Sequence, residues 1–194
     1  MKLKNSILPI VLGLACIALL AACSPDKPEN EKINKLHEDP TMCVFTLTEG
    51  SLRSGVSFNS MPQETDFVPT NNVQKIIWQV EKGENFKIGE EGLSKFVVKS
   101  IKTNPNVVYS LRIDYYNAKG EPMNHQFFEN EQDKIHQHFF MYYTNNGAHN
   151  VLVKNREELP YEYTYADSYK GKFIGESNPM GFFGFIRFLQ PDTK

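Results

Sequence analysis

Apolar and polar positions alternate with a period of two along much of this chain beyond about residue 40. The clearest run is Val107, Tyr109, Leu111, Ile113 and Tyr115, where every second side chain is apolar and one face of a strand is suited to burial. Comparable runs, rich in Val, Ile, Phe and Tyr, predict strands over 42–48, 73–81, 95–101, 107–117, 123–128, 134–143, 151–154, 162–165 and 182–189. Turn signals separate them: Glu81-Lys82-Gly83-Glu84, Asn104-Pro105-Asn106, Asn117-Ala118-Lys119-Gly120 and Asn145-Asn146-Gly147. The only helical expectation is one short segment over 30–36. Strands at this spacing predict an all-β domain over 39–194, an antiparallel β-sandwich or a partly open barrel.

The first forty residues follow another pattern. Lys2 and Lys4 give a basic start, an apolar run covers 7–20, and Ala21-Ala22 precede Cys23. This order predicts a cleaved secretory signal peptide over 1–22. The run has about 14 residues, short of the roughly 20 that span a bilayer as a helix. Leu20-Ala21-Ala22-Cys23 resembles the lipobox of bacterial lipoproteins. The resemblance implies cleavage before Cys23, a diacylglycerol on its thiol and an acyl chain on its freed amine. A single acyl chain holds a protein only marginally, so the multiple chains of such a cysteine make a lasting anchor. Ser24 stands where an aspartate would imply retention at the inner membrane, so the resemblance implies the outer membrane. The Pro-rich, charged stretch that follows cannot bury enough apolar surface to offset its ordering entropy, and 23–38 is expected to be a flexible tether. Asp26, Glu29 and Glu31, interrupted by Lys27, resemble a surface-export signal and leave both the periplasmic face and the cell surface open.

The leader and anchor change how the cysteines and charges read. Cys16 departs with the leader and Cys23 carries lipid, so Cys43 is left with no intramolecular partner and the fold must rest on its core. Alternation places Cys43, Phe45 and Leu47 on one face, where a buried, unreactive thiol is expected. The formal charge of −2 becomes −4 once Lys2 and Lys4 leave, and no basic cluster occurs, so nucleic acid is not an expected partner.

Candidate chemistry lies in the stretch from Met123 to Phe140. On a strand, His136 and His138 point to one side, about 7 Å apart, as a His-x-His pair able to share a zinc or copper ion. Hairpin register decides whether His125 joins them. A four-residue loop over 130–133 sets His125 opposite His138, whereas a five-residue loop turns His125 to the other face. Aromatic side chains also concentrate after residue 120, and adjacent pairs such as Phe127-Phe128, Phe139-Phe140 and Tyr142-Tyr143 place one ring on each side of a strand. This leaves two readings: packing on both sides under loops, or an exposed aromatic patch for a partner or ligand.

The segments 133–140 and 178–188 resemble a family of small lipoproteins of outer-membrane-bearing gut and oral bacteria, to which no activity attaches. Members carry further histidines where this chain has Ser51-Leu52-Arg53-Ser54, so by that resemblance a metal site here would be incomplete. Enzyme signatures are absent: there is no Gly-x-Ser-x-Gly elbow, phosphate-cradling loop or His-Glu-x-x-His. Glu90-Glu91 and Glu157-Glu158 sit in turn-like stretches, and Asp114 faces away from the apolar side of its strand; all are expected to be solvated. The chain therefore reads as a non-enzymatic, lipid-anchored, extracytoplasmic protein of the outer membrane. It would bind a protein or small-molecule ligand or, alternatively, Zn, Cu or haem through His136 and His138, with His125.

Overall fold

Strand pairing follows the longest alternating runs. In the computed structural model, which describes residues 38–81, 85–89, 92–129, 131–145, 147 and 149–190, β1 (Met42–Leu52) lies between β2 (Phe67–Glu81) and β4 (Val108–Tyr116). The expected leader, Cys23, the helix over 30–36 and Glu90-Glu91 lie outside the described residues. β3 (Asn85–Ile88) extends one side of the sheet, and β10 (Phe183–Phe188) and β7 (Tyr161–Tyr165) extend the other, giving the order β3-β2-β1-β4-β10-β7. Every pair is antiparallel. Two ribbons complete the strands: β5 (Tyr143–Asn145) with β6 (Asn150–Leu152), and β8 (Ser168–Tyr169) with β9 (Lys172–Phe173). The chain is all-β; the described residues contain single 3-10 turns but no α-helix, and no pairing between β3 and β7 closes the sheet into a barrel.

Register explains the core. Cys43, Phe45 and Leu47 of β1 stand opposite Tyr115, Ile113 and Leu111 of β4, and Gly184 and Ile186 of β10 continue the row opposite Leu111 and Tyr109. That face buries Cys43, Ile113, Met123, Phe127, Met180 and Phe182 in one cluster, and Leu47, Val107, Tyr109, Leu111 and Ile186 in another. The opposite face buries Val108, Phe183 and Phe185 against Phe58 and Ala166. Each fully buried Leu, Ile or Phe contributes about 1.5–3 kcal/mol relative to exposure. Asp114, expected to be solvated, is half-buried on the second face, and burial holds its carboxyl above the usual aspartate range. Glu157 and Glu158 are exposed at a 3-10 turn.

Alternation along β1 continues from Cys43, Phe45 and Leu47 to place Glu49 on the inner face opposite Tyr109, where the pairing with β2 is bulged between Thr48 and Gly50. Its carboxylate takes Lys99 Nζ at 2.6 Å and Asn72 Nδ2 at 2.9 Å, with the buried Tyr109 hydroxyl at 3.5 Å. The Lys99 bond, ahead of the others, holds Glu49 below the usual glutamate range despite its burial.

Three expected strands take other forms. Residues 95–101 run extended without a ladder, with Ser100 alone bridged, to Phe188. Residues 123–128 become a 3-10 turn over Asn124–Phe128, because the Asn124 side chain takes the place of a neighbouring strand. Its Oδ1 accepts from Tyr115 N and its Nδ2 donates to the Ile113 carbonyl, both at 2.8 Å. Residues 134–143 leave a 3-10 turn over Gln132–Lys134 and continue unpaired until β5. The unpredicted β8 and β9 meet at Lys170 and Gly171, both with positive φ, the conformation of a tight two-residue hairpin turn.

Candidate functional site

The segment from Ile135 to Tyr142, which leads into β5 at Tyr143, keeps the alternation of a strand without strand partners. His136, His138, Phe140 and Tyr142 are half-buried, whereas Ile135, Phe139, Met141 and Tyr143 are 73%, 69%, 60% and 49% exposed. Its outward side thus carries four apolar side chains, with Gln137 exposed between Ile135 and Phe139.

Side chains from β7 and the tail hold this segment down. The Tyr161 hydroxyl donates to the Phe140 carbonyl at 2.8 Å, and the Tyr165 hydroxyl to the His138 carbonyl at 2.7 Å. Phe140 packs on Tyr163 with ring centroids 4.1 Å apart. The Tyr163 ring reaches over Gly184, where a Cβ would collide with its hydroxyl. That hydroxyl is buried without a hydrogen-bond partner among the described residues.

His138 is the central fastening. Its backbone N–H and its Nδ1 both meet the Met180 carbonyl, at 2.8 and 2.9 Å, and its Nε2 lies 2.8 Å from the Tyr115 hydroxyl. A carbonyl only accepts, so Nδ1 carries the proton and Nε2 accepts from Tyr115. Burial holds the imidazole below its ordinary value, against the opposing pull of the Met180 carbonyl and Asp167. Burial also pushes the Cys43 thiol up to about 12, so it stays protonated and unreactive, as its apolar face implied.

Met180 is positioned by Asp167, a carboxylate only 2% exposed. Asp167 accepts from the backbone N–H groups of Gly181, Phe182 and Phe183 at 2.9, 2.8 and 3.0 Å. Burial raises its pKa, and those three donors oppose the rise. Gly181 has φ +81°, and a Cβ there would stand 2.9 Å from His138 Cβ, so backbone conformation and close approach both call for glycine.

Recesses flank the segment, and two of them adjoin the tyrosine and histidine fastenings. Pro40, Tyr115, Phe127, His136, Gln137, His138 and Met180 line one of about 240 Å³. The larger, about 1040 Å³, is an open groove with walls that include Phe139, Met141, Leu159, Tyr161, Tyr163 and Tyr165. Arg156, Glu157 and Glu162 supply its charge.

The structure brings together two of the three candidate metal ligands. His136 and His138 line the smaller recess, and His136 Nδ1 lies 2.9 Å from the Gln132 carbonyl. His125 is exposed on the 3-10 turn Asn124–Phe128, so neither hairpin register forms and His125 does not stand opposite His138. Zinc or copper at His138 would have to displace Tyr115 or the Met180 carbonyl. No three His, Cys, Asp or Glu side chains gather as metal ligands among the described residues. Of the residues that build the site, periodicity marked Tyr115 only as a core position, and Tyr161, Tyr165 and Asp167 were not singled out by it. The one signal for Asp167 is an acidic side chain directly after Ala166, which follows the end of β7 at Tyr165. No protein-family model, curated protein or solved structure matches the chain.

Proposed function

We propose that this chain is a non-enzymatic binding protein of the bacterial outer membrane, anchored by lipid on Cys23, that takes a partner or ligand in the groove between residues 139–141 and β7. The observation that carries the reading is the outward row of Ile135, Phe139, Met141 and Tyr143 beside that groove. Exposed apolar side chains gathered beside a concave surface are a feature of interaction sites rather than of passive protein surface. Fixed fastenings beneath the row support the same reading, because a segment held in place loses little freedom on binding. The lipobox-like Leu20-Ala21-Ala22-Cys23 supports the anchor.

Both halves are testable in the full-length chain. Cells fed an alkynyl palmitate should label the protein and retain it in the membrane fraction, and Cys23→Ser should abolish both. A soluble aromatic probe, anilinonaphthalene sulfonate, should bind the purified protein. The double change Phe139→Ser and Met141→Ser should cut that binding at least fivefold while leaving the melting temperature unchanged. Unaltered probe binding in the double variant would remove the groove from the proposal.

A further inference from the structure

Apart from the aromatic groove, the turn after β1 and the turn before β4 enclose a second recess of about 460 Å³ with a different chemistry. Its charged lining consists of Arg53 and Arg187, and Ser51, Ser54 and Asn106 add neutral hydrogen-bonding side chains; no carboxylate lines it.

Arg187 is held in place before any ligand arrives. Its Nε donates to Glu162 at 2.5 Å, and its guanidinium lies 4.5 Å above the ring of Phe58, which is buried against Val108, Phe183 and Phe185. Its two terminal amino groups make no hydrogen bond within the described residues. The Arg53 side chain forms no ion pair there either. Arg53 begins a turn closed by Val56 N–H on its own carbonyl at 3.1 Å, with Gly55 at φ +85°. The backbone N–H groups of Ser54 and Gly55 make no hydrogen bond within the described residues.

Glu162 offsets Arg187, so Arg53 leaves the recess with one uncompensated positive charge on a chain of net charge −2. Donors converge from three segments, the 53–56 turn, the 104–107 turn and β10. A planar carboxylate is satisfied by one guanidinium fork, whereas a tetrahedral oxyanion takes donors from several directions. The volume also exceeds what a bare ion fills, given about 30 Å³ per water molecule. We propose that this recess binds the phosphate or sulfate group of a small molecule or of a lipid headgroup, with Arg53 and Arg187 as its two cationic contacts.

The test is calorimetric titration of the purified full-length chain in neutral detergent at low ionic strength, where exposed charges are least screened. The probes are sodium phosphate, sodium sulfate, sn-glycerol 3-phosphate and sodium acetate. Phosphate and sulfate should bind saturably at one site, and acetate at least tenfold more weakly. Arg53→Gln, a change at an exposed side chain, should weaken phosphate at least tenfold without moving the melting temperature. Arg187→Gln should weaken it further, and Glu162→Gln, which keeps both arginines, should strengthen it. Tighter binding of glycerol phosphate than of phosphate assigns a substituted ligand or headgroup; equal binding assigns the free oxyanion. Phosphate and sulfate that fail to saturate, acetate that binds as well, or an Arg53→Gln protein that binds as tightly as the parent would each overturn the proposal.

Discussion

The segments 93–101 and 134–143 cover the same buried cluster, yet they are fastened differently. Phe96, Val98 and Ile101 of the first and Phe140 of the second all pack around Leu47, Tyr109, Leu111 and Ile186. The first segment is tied largely through its own backbone N–H groups. Leu93 N–H donates to the Lys75 carbonyl and Ile101 N–H to that of Phe188, while Val97 bonds the Gln74 side chain in both directions at 2.8 Å. The second offers carbonyls to tyrosine hydroxyls and depends on the Met180 carbonyl, which Asp167 and its three donors keep in place. The outer side of the first carries Lys95 and Lys99 beside the exposed Leu93 and Val97, whereas that of the second carries Ile135, Phe139, Met141 and Tyr143 with Gln137 among them. Two carbonyls of the second segment accept from tyrosine hydroxyls, so its hold can be altered one hydroxyl at a time.

The comparison breaks most completely at Asp167. Asp167→Ala leaves three buried N–H groups without an acceptor, at about 1–3 kcal/mol each, so urea denaturation should show a loss of about 3 kcal/mol or more. Hydrogen exchange should rise steeply over 134–143 and 180–183 and little over 93–101 beyond the global loss. Equal local effects on both segments would mean that Asp167 supports the whole face and not one strap.

A milder change sharpens the distinction. Tyr161→Phe with Tyr165→Phe removes one hydrogen bond from each of two carbonyls, about 1 kcal/mol apiece. Exchange should quicken at residues 138–141 while the Leu93 and Ile101 amides, bonded to carbonyls of β2 and β10, keep their protection.

The smallest expected effect is set by pH. Because burial lowers the folded-state pKa of His138, the unfolded chain binds the proton more readily, and stability rises with pH across the interval between the two values. His138 therefore contributes fully above the ordinary imidazole value of about 6.5, and that contribution is lost as pH falls toward the lower folded value. Melting temperatures from about pH 7.5 to about pH 5 should decline less in His138→Gln than in the parent. An identical pH slope in the two proteins would exclude His138 as its source.

Much of the central sheet was legible because alternation reports which side chains are buried. That Cys43, Phe45 and Leu47 share one face of β1, and Tyr109, Leu111, Ile113 and Tyr115 one face of β4, follows from it directly, whereas the register that sets the two rows side by side does not. Alternation does not report what the backbone bonds to, so 95–101, 123–128 and 134–143 read as strands while Asn124, Gln74, Tyr161 and Tyr165 supply the bonds that a ladder would have made. The site residues were hidden for a related reason. Asp167 meets its donors 14 to 16 residues away, across a turn whose geometry depends on Gly181, and the spacing of residues along the chain carries no trace of that closure. The expected exposure of aromatic side chains after residue 120 holds at Phe139 and Tyr143, whereas Phe127 and Phe182 are buried.

The position of β1 has a mechanical consequence. The chain passes from Glu38, whose backbone N–H and carboxylate are bonded to Gln126 and Asn117, straight into a strand paired along its length on both sides. Tension transmitted from the chain before residue 38 therefore enters at the middle of the sheet. Pulled along its axis, β1 loads the ladders to β2 and β4 in shear, many bonds at once, where an edge strand such as β3 or β7 would peel bond by bond. A sheet loaded at its central strand therefore resists tension that would strip an edge strand.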